Sequence, residues 1–152
     1  MALAAGMKAP DFRLRDQDGQ WVELSYLAGS EAMIIFMPYA FTKTCEGEMC
    51  TLRDNLSFLQ SKGARLVVIT CDTKNSNRVW SEQQGFSFPI LSDFWPHGQT
   101  ASAYGCFNEK YGFAERATFV VDAAGTITDI VSSANIGIPR DFDQYAPALG
   151  LP

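Results

Sequence analysis

Histidine is nearly absent: His97 is the only one in 152 residues. A histidine-built metal site or a Ser–His triad therefore has almost nothing to work with. Long apolar runs are missing too, and none approaches the roughly 18 to 20 residues needed to span a bilayer. Basic residues are outnumbered, 12 Lys and Arg against 17 Asp and Glu, for a net charge of −5. That excludes the basic stripe a nucleic-acid partner would want, and attraction to an anionic membrane with it. Cysteine is sparse, with four in the chain, too few for a small secreted domain stapled by disulfides. The opening Met1-Ala-Leu-Ala-Ala-Gly-Met-Lys8 lacks a basic leader, and its apolar part is short for a signal peptide. The reading is a cytoplasmic protein with no nucleic-acid or membrane partner. In a reducing compartment, Cys45, Cys50, Cys71 and Cys106 are packing residues, metal ligands or reactive thiols.

No repeat, low-complexity tract or break in composition divides the chain, so residues 1–152 are expected to form one domain. Segments 11–15 and 20–24 flank the turn Asp16-Gln-Asp-Gly19 and read as a hairpin. Residues 32–37 are a continuous apolar run, as in a strand buried on both faces, and Pro38 ends it. Apolar residues then recur at Cys45, Met49, Leu52, Leu56 and Leu59, the seam of an amphipathic helix. Thr42 suits its N-cap and Gly63 its stop. A second buried strand is expected at 65–70 and a helix at 74–84 ending at Gly85. A short strand at 89–91 and a helix at 99–104 follow, then two strands at 118–122 and 126–132. A closing helix at 142–149 is weakened by Pro147. This order implies an α/β fold of thioredoxin-like type, a mixed central sheet flanked by helices.

The informative stretch runs from Phe36 to Cys50. A buried strand delivers the chain to the sheet edge, a loop follows, and Cys45 falls in the first turn of a helix. Ligands of open α/β sheets bind at that edge. Free N–H groups and the positive end of the helix dipole favour negative charge there. Cysteines ionise well below their usual value of about 8.5 at helix N-termini and beside cations, and the thiolate is the reactive form. Thr42 can offer a hydroxyl to an incoming substrate or to the sulfur. Pro38 has no N–H and restricts the loop. The plainer alternative makes Cys45 a small apolar residue on the helix seam.

Pro38-x-x-x-Thr42-x-x-Cys45, continued by Glu48, resembles the active-site motif of the peroxiredoxins. The similarity extends along most of the chain. Ala9-Pro-Asp-Phe12, Ser92-Asp-Phe-Trp-Pro-His-Gly98, Tyr104-Gly-Cys-Phe-Asn108 and Arg116-Ala-Thr-Phe-Val-Val-Asp122 look like the AhpE branch. The resemblance implies a thiol peroxidase for hydrogen peroxide, organic hydroperoxides or peroxynitrite, with no cofactor and no metal. It implies that Cys45 is the peroxidatic thiol, and that Arg116 lies beside the sulfur and polarises the peroxide with Thr42. Glu48 would orient Arg116 or be a solvated helix residue. Cys50, five residues after Cys45, departs from the AhpE pattern. It resembles the second cysteine of the Q-type, or bacterioferritin-comigratory, peroxiredoxins, where it resolves the first. Resolution by Cys50 or by an external thiol stays open.

The resemblance further implies a homodimer and a reducing thiol partner: thioredoxin, a glutaredoxin-like protein or a low-molecular-weight thiol. Cys71 and Cys106 read as core residues, His97 as a loop residue, and Phe94 and Trp95 as an aromatic contact. Three rivals differ. A non-catalytic peroxide sensor or holdase would share Cys45 without turnover. A thiol–disulfide oxidoreductase would want Cys-x-x-Cys. A zinc site would need four ligands.

Overall fold

The computed structural model describes residues 3–150. Its strands are β1 (Arg13–Arg15), β2 (Trp21–Glu23), β3 (Ala32–Phe36), β4 (Arg65–Thr70), β5 (Ile90–Ser92), β6 (Phe107–Asn108), β7 (Phe113–Ala114), β8 (Ala117–Val121) and β9 (Ile127–Ser132). Its α-helices are α1 (Lys43–Ser61), α2 (Lys74–Gln84), α3 (Gln99–Ala103) and α4 (Tyr145–Ala148). Seven strands form one mixed sheet in the order β2-β1-β5-β4-β3-β8-β9. The central β3 runs parallel to β4 and antiparallel to β8.

Strand β3 shows why its sequence is apolar without alternation. Successive side chains point to opposite faces of a sheet. Ala32, Ile34 and Phe36 join a core with Leu91, Tyr104 and Phe119. Met33, Ile35 and Met37 join another with Cys45, Met49, Trp80 and Tyr145. Helices α1, α2 and α4 supply the second core, so both faces of β3 are covered. The periodic seam of α1 is the buried one: Cys45, Met49, Leu52 and Leu59 face the sheet.

The expected elements appear with small shifts. The expected strand at 89–91 lies one residue later, at Ile90–Ser92. The closing segment is split into a 3-10 turn at Phe142–Gln144 and a single turn of α4 containing Pro147. The pair β6–β7 leaves no signal in the sequence, since two-residue strands are too short for a period to register. Thr42 takes the N-cap position of α1, but its side chain makes no capping bond. Among the described residues no helix is long and apolar enough to cross a membrane.

Candidate active site

Cys45 sits in the first turn of α1 with its side chain sealed from solvent. The loop of residues 38–42 carries the chain there from the end of β3. Pro38 is buried and the N–H of Ala40 donates to Asp72 Oδ2 at 2.8 Å. The Tyr39 ring packs edge-on against Phe113, 5.2 Å between centroids. Thr42 is half-buried, and its hydroxyl donates to the Tyr39 carbonyl at 3.2 Å rather than to the sulfur or the helix.

Arg116 reaches the sulfur from across the sheet. The antiparallel ladder pairs Phe36 with Ala117, which sets Arg116 beside the end of β3. Alternation then points Arg116 and Thr118 to the face that holds Cys45. The guanidinium is almost fully buried and divides its donors. Nη2 donates to Cys45 Sγ at 3.2 Å and Nη1 to Glu48 Oε1 at 2.6 Å. Nε donates to the Ile136 carbonyl at 2.7 Å, which fixes the plane of the group.

Glu48, one turn beyond Cys45, is buried between two arginines. Besides Arg116 it accepts from Arg140, whose backbone N and Nε reach Oε2 at 2.7 and 2.9 Å. Arg140 Nη2 reaches Oε1 at 2.8 Å. Burial pushes the Glu48 carboxyl up, but the hydrogen bonds and charge of Arg140, with the charge of Arg116, outweigh it and hold it below its ordinary value. Burial likewise works against the charge on Arg140, and the hydrogen bond and charge of Glu48, together with Tyr145 and Cys45, more than offset it. Arg140 Nη1 donates to Thr118 Oγ1 at 3.1 Å, and that hydroxyl pairs with the Tyr145 phenol at 2.9 Å. A cavity of about 390 Å³ lies against Glu48 and Arg140, walled by Met37, Leu52, Pro139 and Phe142. Cys45 does not open into it.

Sequence reasoning missed Arg140. It stands in a stretch with no helix or strand period, and its partner is 92 residues away. The one available hint was chemical: a buried carboxylate has more acceptor capacity than a single arginine satisfies.

Cys50 is half-buried on a different side of α1, its thiol 3.9 Å from Gln84 Oε1. Cys71 and Cys106 are buried in the core on the opposite face of the sheet from Cys45. Burial, reinforced by Asp93 and Asp72, pushes the Cys71 thiol up to about 12. Burial likewise pushes the Cys106 thiol up. His97 is away from Cys45, its two ring nitrogens 3.0 Å from the Phe94 carbonyl and 2.7 Å from the Gly112 carbonyl.

The profile of the AhpC/TSA family matches residues 5–130. The chain belongs to that family, the peroxiredoxins. It is 45% identical over 126 residues to alkyl hydroperoxide reductase E of Mycobacterium tuberculosis, covering 82% of each chain. It is 33% identical over 134 residues to peroxiredoxin Bcp of Escherichia coli, covering 84% of this chain and 85% of that one. The crystal structure of Enterococcus faecalis AhpC superposes with a TM-score of 0.86 at 25% identity, covering 99% of this chain and 92% of that one. The fold is thus the thioredoxin-like fold of the peroxiredoxins. The activity is the thiol-dependent peroxidase activity typical of them, served by thiol-based redox partners.

Proposed function

We propose that Cys45 is the peroxidatic nucleophile, and that Arg116, Thr42, Pro38 and Glu48 make up its site. The observation that carries this is the Arg116 guanidinium at 3.2 Å from Sγ, itself clamped by Glu48. Two buried guanidiniums share one buried carboxylate, so one positive charge is left for an ionised sulfur to balance. The free N–H groups of the first turn act in the same sense.

In the first step the thiolate attacks one peroxide oxygen. An S–O bond forms, the O–O bond breaks, and the second oxygen takes a proton and leaves as water or alcohol. The sulfur is oxidised by two electrons to a sulfenic acid. Arg116 bears the charge that develops on the leaving oxygen, and the Thr42 hydroxyl turns from Tyr39 to the peroxide. Glu48 positions Arg116 and leaves the chemistry to it. In the second step Cys50 attacks the sulfenic sulfur, an S–S bond forms and water leaves. Two thiols of a reductant then restore both cysteines.

The sequence pattern supports hydrogen peroxide, organic hydroperoxides and peroxynitrite as substrates. Thioredoxin, a glutaredoxin-like protein or a low-molecular-weight thiol serves as reductant. The 152 residues act as one cytoplasmic domain. The exposed Trp95 and Phe94 support a homodimer contact. Stopped-flow oxidation of wild type, Cys45→Ser and Cys50→Ser tests the scheme. Rapid peroxide consumption disappears in Cys45→Ser. In Cys50→Ser the first oxidation survives and overoxidation increases. Rapid consumption surviving in Cys45→Ser would overturn the assignment.

A further inference from the structure

Cys45 and Cys50 lie on one unbroken helix. Five residues of ideal helix separate their Cα atoms by roughly 8.7 Å. A disulfide needs about 4.4 to 6.8 Å. The turns carrying Cys45 and Cys50 must therefore unwind before the two sulfurs meet, and whatever holds those turns sets the pace.

Helix α2 holds them. The indole N–H of Trp80, a fully buried side chain, donates to Glu46 Oε1 at 3.0 Å. Glu46 lies inside the stretch that must unwind, next to Cys45. The same indole packs on Phe41, 6.1 Å between ring centroids. Phe41 precedes the N-cap and has a φ of 67°, a left-handed conformation that disfavours a bulky side chain and persists only under outside constraint. One turn further along α2, Gln84 accepts from the Cys50 thiol at 3.9 Å, and its carbonyl accepts from Arg53 at 2.6 Å. The indole thus constrains both the strained residue ahead of the helix and the first turn itself.

We propose that Trp80 and Glu46 form a latch that keeps the start of α1 wound. Trp80 is a positioning residue for the resolving step, setting how long oxidised Cys45 stays out of reach of Cys50. This rests on Cys50 being the resolving thiol. With the latch closed, the sulfenic acid persists and stays open to a second peroxide. With the indole bond broken, the strain at Phe41 favours release.

The variants Trp80→Phe, Glu46→Ala and Glu46→Gln separate the bond from the packing. Phe keeps a ring against Phe41 and Phe86 and loses the N–H. Ala at position 46 removes the acceptor without touching the core, and Gln restores it. Amide hydrogen exchange of reduced protein over residues 43–52, and the second phase of stopped-flow oxidation, are the readouts. Trp80→Phe and Glu46→Ala should each speed both by about two- to tenfold, the effect of one hydrogen bond. Exchange in β3 and β4 and the first oxidation phase stay as in wild type. Glu46→Gln behaves as wild type.

Unchanged exchange at 43–52, or an equal rise across the whole molecule, sinks the latch. So does faster exchange with a Cys45–Cys50 disulfide forming at the wild-type rate. Faster exchange with Cys50 still a free thiol after oxidation supports the latch on the helix and sinks Cys50 as the resolving thiol. Unchanged exchange alongside a Cys45–Cys50 disulfide does the reverse.

Discussion

Cys45 and Cys71 are both buried near the ends of neighbouring parallel strands, one after β3 and the other directly after β4. Their surroundings have opposite signs. Cys45 meets a guanidinium at 3.2 Å and the start of a 19-residue helix. Cys71 meets burial first, then the carboxylates of Asp93 and Asp72, and its thiol is held up near 12. Burial is thus common to both, and the sign of the neighbouring charge separates the thiol proposed as nucleophile from the one proposed as a core residue.

The comparison breaks first at the sulfur. Peroxide followed by mass spectrometry should find oxidation starting at Cys45, as a sulfenic acid or as its disulfide with Cys50, with Cys71 and Cys106 left as thiols, and Cys45→Ser should abolish rapid turnover. Oxidation at Cys71 or Cys106 at a similar rate would erase the contrast. Removing the guanidinium is the next largest change. Arg116→Met should slow the first oxidation by about a hundred- to thousandfold, as for loss of a charge-stabilising donor. A normal rate would mean the helix terminus suffices.

Glu48→Gln probes the support behind the guanidinium. Breaking a buried ion pair of this kind costs ~3–5 kcal/mol, readable by urea unfolding at pH 7. The Glu48 carboxyl lies below its ordinary value when folded. Its stabilisation is therefore fully present above the unfolded value of about 4.3 and drains away as pH falls through the lower folded value. The gap between wild type and Glu48→Gln should close on acidification over that range. A gap constant down to pH 2 would place the effect in packing rather than charge. The smallest change is Asp72→Asn, which should lower the alkaline midpoint of Cys71 thiolate absorbance only slightly, because burial is the larger cause. A fall to neutral range would make the carboxylates, not burial, decisive.

Most of the scaffold was legible from its apolar pattern, periodic in α1 and continuous in β3. The seam of α1 and the unbroken apolar run of β3 each follow from which faces are covered. The site was legible in so far as it is local. Pro38, Thr42, Cys45 and Glu48 lie within eleven residues, and their spacing could be read as a motif. Arg116 needed a resemblance, since it stands 71 positions from Cys45 and strand pairing alone brings it near. Arg140 had neither period nor motif. Thr42 shows the limit of reading roles from spacing: it holds the N-cap position, yet its hydroxyl goes to Tyr39.

The rung that joins Phe36 to Ala117 works as a ruler for this chemistry. Alternation leaves two choices for the residue before Ala117, and slipping the ladder by one position swings the guanidinium to the far side of the sheet. The aim of Arg116 at Cys45 is therefore written in the count of residues along β8 more than in any contact at the sulfur. A single inserted residue there would leave a protein that keeps its cysteine and loses its target.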